Sequence, residues 1–540
     1  MQLNIADLFE SLVDTIGNRT ALVCGERRLT FRDLEERSNR LAHFLAARGV
    51  GSGDHVGLYL FNCAEFLEAM LAAFKLRAVP ININYRYVSD ELRYMFDNAD
   101  LVALVHQRAF APLLADIAPK YAALHTLVQV DDDSVHNAGA LDTTPLEKAM
   151  REGVPTRDFG ERSGEDLYII YTGGTTGMPK GVMWRHEDVL YAGLQGGNPG
   201  GEPISSAEQL AEIAKRNDPA MTTMPVAPFI HGAAQWAAII GWFGGGKVVV
   251  IPGKSLDPKR VWTAVERERV NVMTIVGDAM ARPLAAELHA PGATYDLSSL
   301  VVIGSAGAVF SETVKAELRE KLPTTMFIDS FGSTESGHTG SMAQTRSASD
   351  SGHPRFLMSA NVTVLDDQRK PVVPGSGAIG LLARKGRLPL GYYKDPTKTA
   401  ETFWEIDGER WVVPGDLATI EADGMITVFG RGAVCINSGG EKIFPEEIEE
   451  VLKAHPAIED AVVVGVPDER WGQRVAAVVQ PRPGASVTLA EVETHCRKHV
   501  AGYKVPRLLE VVDAISRQPS GKPDYKWARE VAAGGSTARA

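Results

Sequence analysis

The chain has 540 residues, of which 44% are hydrophobic and 23% charged, the composition of a globular protein with an ample core. That length calls for more than one domain. A net charge of −12 argues against general nucleic-acid or acidic-membrane binding, so an anionic ligand would need a local cationic pocket. The first ten residues carry acids and no basic start, unlike a signal peptide. The most apolar stretch, Ala237 to Pro252, is too short to span a bilayer and is broken by glycines and Lys247. Cys24, Cys63, Cys435 and Cys496 are far apart and form no CxxC pair, which fits a reducing cytoplasm and offers no zinc site. The expected location is cytoplasmic.

From Thr30 onward helical and strand patterns alternate. Phe31 to Arg48 places Leu34, Leu41, Phe44 and Leu45 on one helical stripe, and His55 to Leu60 reads as a buried strand. Asn62 is expected to cap an apolar helix running through Leu76. Val79 to Ile83 reads as a short strand, Ser89 as the start of another helix, and Leu101 to Val105 as the next strand. This rhythm implies parallel sheets covered by helices, whose ligands bind beyond the carboxyl ends of the strands.

The apolar run Leu167 to Ile170 feeds such an end. It is followed by Tyr171-Thr-Gly-Gly-Thr-Thr-Gly-Met-Pro-Lys-Gly181, with four glycines, three threonines and one lysine. Small residues let backbone N–H groups approach phosphate oxygens, and Lys180 adds a point charge. The spacing is not that of the ordinary P-loop, since Met178 and Pro179 separate the lysine from Gly177. Proline biases Met178 away from helix, so the stretch is expected to stay a loop through Lys180. On its own its alternative reading is a Gly/Thr surface turn.

Gly193 to Pro219 interrupts the rhythm with loop chemistry and a short helical stretch, Ala207 to Arg216. It reads as a surface insertion, with a lid as the alternative. Pro228-Phe-Ile-His231 leads into Gly232, Ala233, Ala234, Gln235 and Trp236. His231 is either a packed core histidine or part of a tunnel wall, in which small residues opposite the Trp236 indole would suit a bulky apolar tail. Val301 to Ala308 is another strand running into small residues. Asp329-Ser-Phe-Gly-Ser-Thr-Glu-Ser336 follows the strand Thr325 to Ile328 and puts Thr334 and Glu335 in a loop. Asp416 sits after a Pro-Gly turn, where aspartate is usually structural, and Phe429-Gly-Arg431 follows the strand Met425 to Val428.

Beyond Arg431 the character changes. Gly430 to Gly440 is loop-rich, and the remainder is a compact α+β pattern. Pro445 and two glutamates open a helix with Ile448, Val451 and Leu452 on one stripe, and Thr488 to Glu491 fits a capping box. Near the end comes Pro519-Ser-Gly-Lys522, which alone would be a solvated lysine in a turn.

Taken in order, these elements resemble the adenylate-forming superfamily of acyl-CoA synthetases, peptide-synthetase adenylation domains and luciferases. The likeness covers about Leu3 to Trp527. Gly173 stands where the family usually has serine. The segment from Met183 to Asp188 together with the insertion at Gly193 is similar to ligases of actinobacterial type acting on steroid side-chain acids. The resemblance implies an α/β fold, a large N-terminal domain of parallel sheets with helices (1–430) and a small mobile α+β C-terminal domain (431–540).

It implies ATP, Mg²⁺ and coenzyme A as ligands and a carboxylic acid as substrate, with no nucleic acid and no integral membrane segment. Oligomerisation with copies of itself is left open. Carried over residue by residue, Thr172, Gly173, Gly174, Thr175, Thr176, Gly177 and Lys180 hold phosphates. Gly304, Ser305, Ala306 and Gly307, with Asp329, Ser330, Phe331 and Gly332, belong to the nucleotide site. Thr334 meets the α-phosphate and Glu335 holds Mg²⁺. Asp416 and Arg431 bind the ribose. His231, Gly232 and Trp236 face the acyl tunnel, while Gly439, Gly440 and Lys442 line the CoA channel. Lys522 bridges the substrate carboxylate and the α-phosphate. Basic contacts to CoA from Gly502 to Arg507 are also implied, a solvated loop being the equal alternative.

The family often has Gly-Arg-x-Lys-Asp at the hinge, whereas this chain has Ala433 and Val434 in the last two places, which leaves the pivot residue open. The implied reaction is an AMP-forming acid–CoA ligation on a steroid side-chain or long-chain fatty acid. Three alternatives stand beside it: transfer of the acyl group to a carrier protein, a luciferase-like reaction with oxygen, and a non-catalytic nucleotide-binding protein. No carrier domain follows Lys522, which favours free CoA. Intact Lys180, Glu335 and Lys522 favour catalysis.

Overall fold

The computed structural model describes residues 3–135, 141–172, 178–344, 355–438, 441–468, 472–500, 502–518 and 521–534. Two eight-stranded sheets dominate the first three-quarters of the chain. One runs through the strands His55–Tyr59, Val79–Asn82, Leu101–Gln107 and Leu167–Thr172. The other holds Val272–Ile275, Val302–Ala306 and Met326–Ser333. Both are parallel inside and take antiparallel strands at an edge. Central strands that are buried on both faces read as unbroken apolar runs, which is why they were legible.

The helix Phe31–Ala46 forms as the stripe demands: Thr30 and Asp33 cap it reciprocally, and Leu34, Leu41, Phe44 and Leu45 are buried. Asn62 does not cap the next helix. That helix, Ala64–Lys75, has Cys63 at its N-cap without a side-chain bond. Asn62 instead donates to the Ala227 carbonyl at 3.2 Å and accepts the Phe229 N–H at 2.8 Å, tying the two large sheets together. A buried amide with two backbone partners outweighs a cap that nearby water can replace.

The inserted segment does contain the helix Ala207–Arg216, capped by Ser206, and it buries Leu210, Ala211 and Ala214. A third sheet of seven strands, paired antiparallel and spanning Arg355 to Arg431, had no counterpart in the expectation of parallel sheets. The small domain follows with a five-stranded sheet and the helices Pro445–Lys453, Leu489–Cys496 and Tyr525–Ala532 around its own core. The linking stretch is more regular than its glycines suggested: a 3₁₀ turn at Gly432–Val434 and short strands at Ile436–Ser438 and Glu441–Ile443. No described helix is long and apolar enough to cross a membrane.

Candidate active site

Thr172 ends one strand and Lys180 begins the next, and the two pair across an antiparallel hairpin. Gly173, Gly174, Thr175, Thr176 and Gly177 lie outside the described residues. Lys180 is ion-paired with Asp395, whose carboxyl caps the helix Pro396–Thr402 and accepts Lys398 N–H at 2.8 Å. The hydrogen bond from Lys180 holds the Asp395 carboxyl below its ordinary range.

Asp395 belongs to a segment no sequence pattern had flagged. Gly391 and Tyr392 pair with Met183 and Val182 on the strand leading away from Lys180, and Tyr393 N–H donates to the Gly181 carbonyl at 2.7 Å. On the other side, the Tyr392 hydroxyl donates to Glu335 Oε1 at 2.9 Å. Residues 391–395 therefore join the glycine-rich hairpin to the Thr334–Glu335 turn.

That turn is reached by a longer strand than expected. Asp329, Ser330, Phe331 and Gly332 lie inside the strand Met326–Ser333, not in a loop after it, and the chain returns along Gly337–Gln344. Thr334, Glu335 and Ser336 make the connection. The Trp184 indole donates to the Thr334 carbonyl at 2.9 Å, and buried Arg384 donates to the Ser336 carbonyl at 2.8 Å. Gly337 adopts φ +70°, and a Cβ there would sit 2.6 Å from the Ala192 carbonyl oxygen. Glu335 is 8% exposed. Among the described residues no cluster of three or more His, Cys, Asp or Glu could hold a metal by itself. A lone buried carboxylate suits Mg²⁺, which is commonly held by one or two carboxylates plus phosphate oxygens.

Asp329 pairs with buried Lys315 at 2.6 Å, and burial still pushes its carboxyl above the ordinary range. Ser305 is likewise engaged in structure, accepting Gly277 N–H at 2.9 Å. Gly304 and Ala306 share its strand, and Gly307 follows with open space at its Cα. Phe331 stacks on Phe356 with centroids 5.5 Å apart.

Asp416 is buried and stands directly opposite Arg431 on neighbouring antiparallel strands, so the two ribose candidates occur as a pair. His231 is the N-cap of the helix Gly232–Phe243 and is half-buried. Gly232 faces Ile170, and Trp236 stands edge-on to Trp184 at 6.4 Å. Gln235 and Ala234, expected on the pocket wall, are core residues instead. The Gln235 amide accepts the Tyr168 hydroxyl and donates to the Phe229 carbonyl at 2.6 Å.

In the small domain, Gly439 and Gly440 lie outside the described residues, and Lys442 stands opposite Asn437 in a short hairpin. Lys504 turns inward to Glu447, with both oxygens at 2.7 Å. Lys522 is half-buried in a hairpin closed by the Arg517–Pro523 bridge, its carbonyl accepting Gln518 N–H at 2.8 Å. That hairpin rests on the large domain, where Gly521 backs onto Val276 and Ala279. Beside it lies a cavity of about 260 Å³ between the domains, with Tyr85, Arg86, Lys254, Met280 and Arg517 among its lining residues. The tyrosine and the basic residues of this cavity were missed in the sequence because they come from three distant segments.

A glycine-rich hairpin, a braced Thr-Glu turn, an Asp-Arg strand pair and a lysine hairpin from a second domain define a nucleotide-using enzyme of two domains. The chain belongs to the AMP-binding enzyme family: residues 9–393 match the family's main domain, and residues 447–522 match the AMP-binding enzyme C-terminal domain. It is 48% identical over 536 residues to a medium/long-chain-fatty-acid–CoA/3-oxocholest-4-en-26-oate–CoA ligase of Mycolicibacterium smegmatis, covering 98% of this chain and 97% of the relative. It is also 48% identical over 536 residues to a 3-oxocholest-4-en-26-oate–CoA ligase of Rhodococcus rhodochrous, with 98% and 96% covered. The fold matches a crystal structure of an anthranilate CoA ligase with anthranoyl-AMP at a TM-score of 0.85, with 24% identity and 99% and 98% of the two chains covered.

Proposed function

We propose that this protein is an AMP-forming acid–CoA ligase acting on a bulky apolar carboxylic acid, either a steroid side-chain acid or a medium- to long-chain fatty acid. The observation that carries the reading is the 391–395 segment. It ties Lys180, through Asp395, and buried Glu335, through the Tyr392 hydroxyl, to one short segment, which supports a joint role for them in binding phosphate and cation. The near full-length likeness to CoA ligases supplies the acceptor and the substrate class.

In this reading the substrate carboxylate oxygen bonds to the α-phosphorus of ATP while the bond to pyrophosphate breaks. Two anions must meet, so catalysis rests on positioning and charge neutralisation. Lys180 leaves Asp395 for a phosphate, and Lys522 bridges the carboxylate and the α-phosphate. Asp416 and Arg431 hold the ribose, and Gly304 to Gly307 with Ser330 to Gly332 frame the base. Glu335 and the incoming phosphates would hold Mg²⁺, which when bound neutralises phosphate charge. The CoA sulfur then bonds to the acyl carbon as AMP leaves, along a channel beside Gly439, Gly440 and Lys442. We place the boundary between the domains at Arg431, with rotation about Arg431–Val434 carrying Lys522 away between the two half-reactions.

The test is ATP consumption by purified protein with Mg²⁺ and CoA, across acids from acetate through long-chain fatty acids and benzoates to steroid side-chain acids. AMP, pyrophosphate and a CoA thioester, with turnover highest on the steroid or longer-chain acids, are the expected products. Adenylate without thioester would move the acceptor from CoA to a carrier protein, and absence of turnover on every acid would refute the enzyme.

A further inference from the structure

A chain of charged groups crosses from the large domain to the Lys522 hairpin. Asp278, 2% exposed, lies in the first turn of the helix Gly277–His289, the helix on which Gly521 rests. Its Oδ2 is 3.8 Å from the ammonium of Lys453, a small-domain residue that is 3% exposed. Lys453 is in turn 3.9 Å from Asp460 Oδ1, and Asp460 Oδ2 is 2.6 Å from Arg517. Arg517 closes the path by donating to the Gly521 carbonyl at 3.0 Å, one residue before Lys522. A second crossing runs parallel. Glu450 Oε1, one turn from Lys453, accepts Glu312 N–H at 3.0 Å at the start of the large-domain helix Glu312–Lys321. A carboxylate is well placed there by the helix dipole.

What distinguishes this arrangement from ordinary buried ion pairs is that each side is satisfied without the other. Asp278 keeps Arg282 at 3.3 Å and the Ser311 N–H at 2.8 Å within its own domain. Lys453 keeps Asp460 and the neighbouring Glu449. Separating the domains therefore leaves both Asp278 and Lys453 with a partner, avoiding the unpaired buried charge that makes breaking such pairs so costly. The contact adds modest affinity between the domains and releases cleanly.

We infer that Lys453, with Asp278 and Glu450, is a releasable latch that positions Lys522: it favours the domain arrangement in which the Lys522 hairpin faces the large domain and so supports the first half-reaction over the second. None of the three touches the reacting atoms. The inference rests on the ligase reading for its kinetic consequence, but its structural consequence stands apart from that reading.

The variants are Lys453→Met, which keeps the stem and leaves Asp460–Arg517 in place, and Asp278→Asn, which keeps a side-chain oxygen for the Ser311 N–H. Each half-reaction is read separately: ATP–pyrophosphate exchange with acid, and thioester formation from preformed acyl-adenylate plus CoA. Both variants should slow exchange by about tenfold, within the usual range of coupling between states, while thioester formation from adenylate holds or rises. An equal loss in both half-reactions, or no loss in exchange, would overturn the latch. Independently of turnover, Glu317→Cys with Arg482→Cys converts an exposed interdomain contact of 3.5 Å into a cross-linking site. Cross-linking yield between these positions should fall several-fold when Lys453→Met is added. An unchanged yield overturns the latch even if the protein proves to be no ligase, whereas a lowered yield without any turnover upholds the latch and refutes only the ligase reading.

Discussion

At the scale of single residues, the site is notable for how many of its charges are already occupied. Lys180 is held by Asp395 and Glu335 by Tyr392, so in the proposed reading ligand binding would be an exchange of partners. Such pre-engagement keeps side chains in place without a ligand and lowers the ordering cost when one arrives. Tyr392→Phe removes one hydrogen bond to a carboxylate and should lower adenylation by about tenfold, with a higher Mg²⁺ requirement. A Mg²⁺ titration of pyrophosphate exchange checks this, and an unchanged titration would show that Tyr392 merely fills space. Lys522→Ala should slow adenylation by roughly 10²–10³-fold, as for loss of other transition-state charge donors, and should spare thioester formation from preformed adenylate. The lysines and Glu335 were legible because their motifs are local. Tyr392 and Asp395 were not, since Asp395 meets its partner 215 positions away and nothing local marks it.

At the scale of elements, the Thr334–Glu335 turn is shaped by close backbone contact. Gly337→Ala adds a Cβ at a left-handed position 2.6 Å from a carbonyl oxygen. The left-handed conformation alone costs about 1–2 kcal/mol for an L-residue, before the clash is counted. Thermal unfolding should report a loss of about 2 kcal/mol or more, and adenylation should fall further than stability because the turn moves with Glu335. A variant as stable and active as the parent would contradict this account. Elements buried on both faces were readable as apolar runs, and Ala207–Arg216 as a short helical stretch. The antiparallel third sheet was not readable as such, because its strands are short and register is a property of pairs. The strand Met326–Ser333 was underestimated for a related reason: polar Asp329 and Ser330 look like loop, yet Lys315 compensates Asp329 from a neighbouring helix.

At the scale of the whole molecule, the junction between domains concentrates buried acids. Glu446 lies against the backbone at Gly430, where a Cβ would come within 2.3 Å of its Oε1, and Oε2 has no hydrogen-bond partner. Burial, reinforced by Glu449, pushes the Glu446 carboxyl up to about 8. The folded protein therefore keeps a proton that the unfolded chain releases near 4.5. Over the window from about 4.5 to 8 the native state binds more protons, so this group lowers stability as pH rises and adds no further slope above it. Glu446→Gln should flatten the fall in melting temperature between pH 6 and 8 by several degrees, measured by calorimetry. Parallel melting curves for parent and variant across that range would show that the acid is ionised in the folded protein.

The pairing of Asp416 with Arg431 also bears on how the protein is made. These residues are register partners on the last two strands of the third sheet, about four-fifths of the way along the chain. In the reading given above, a nascent chain still short of Arg431 carries the Thr-Glu turn but only one of the two ribose-binding residues. Nucleotide affinity would thus emerge only once Arg431 is made, with Lys522 later still. In that reading a chain interrupted between Arg431 and Lys522 would hold nucleotide without the lysine that adenylation needs.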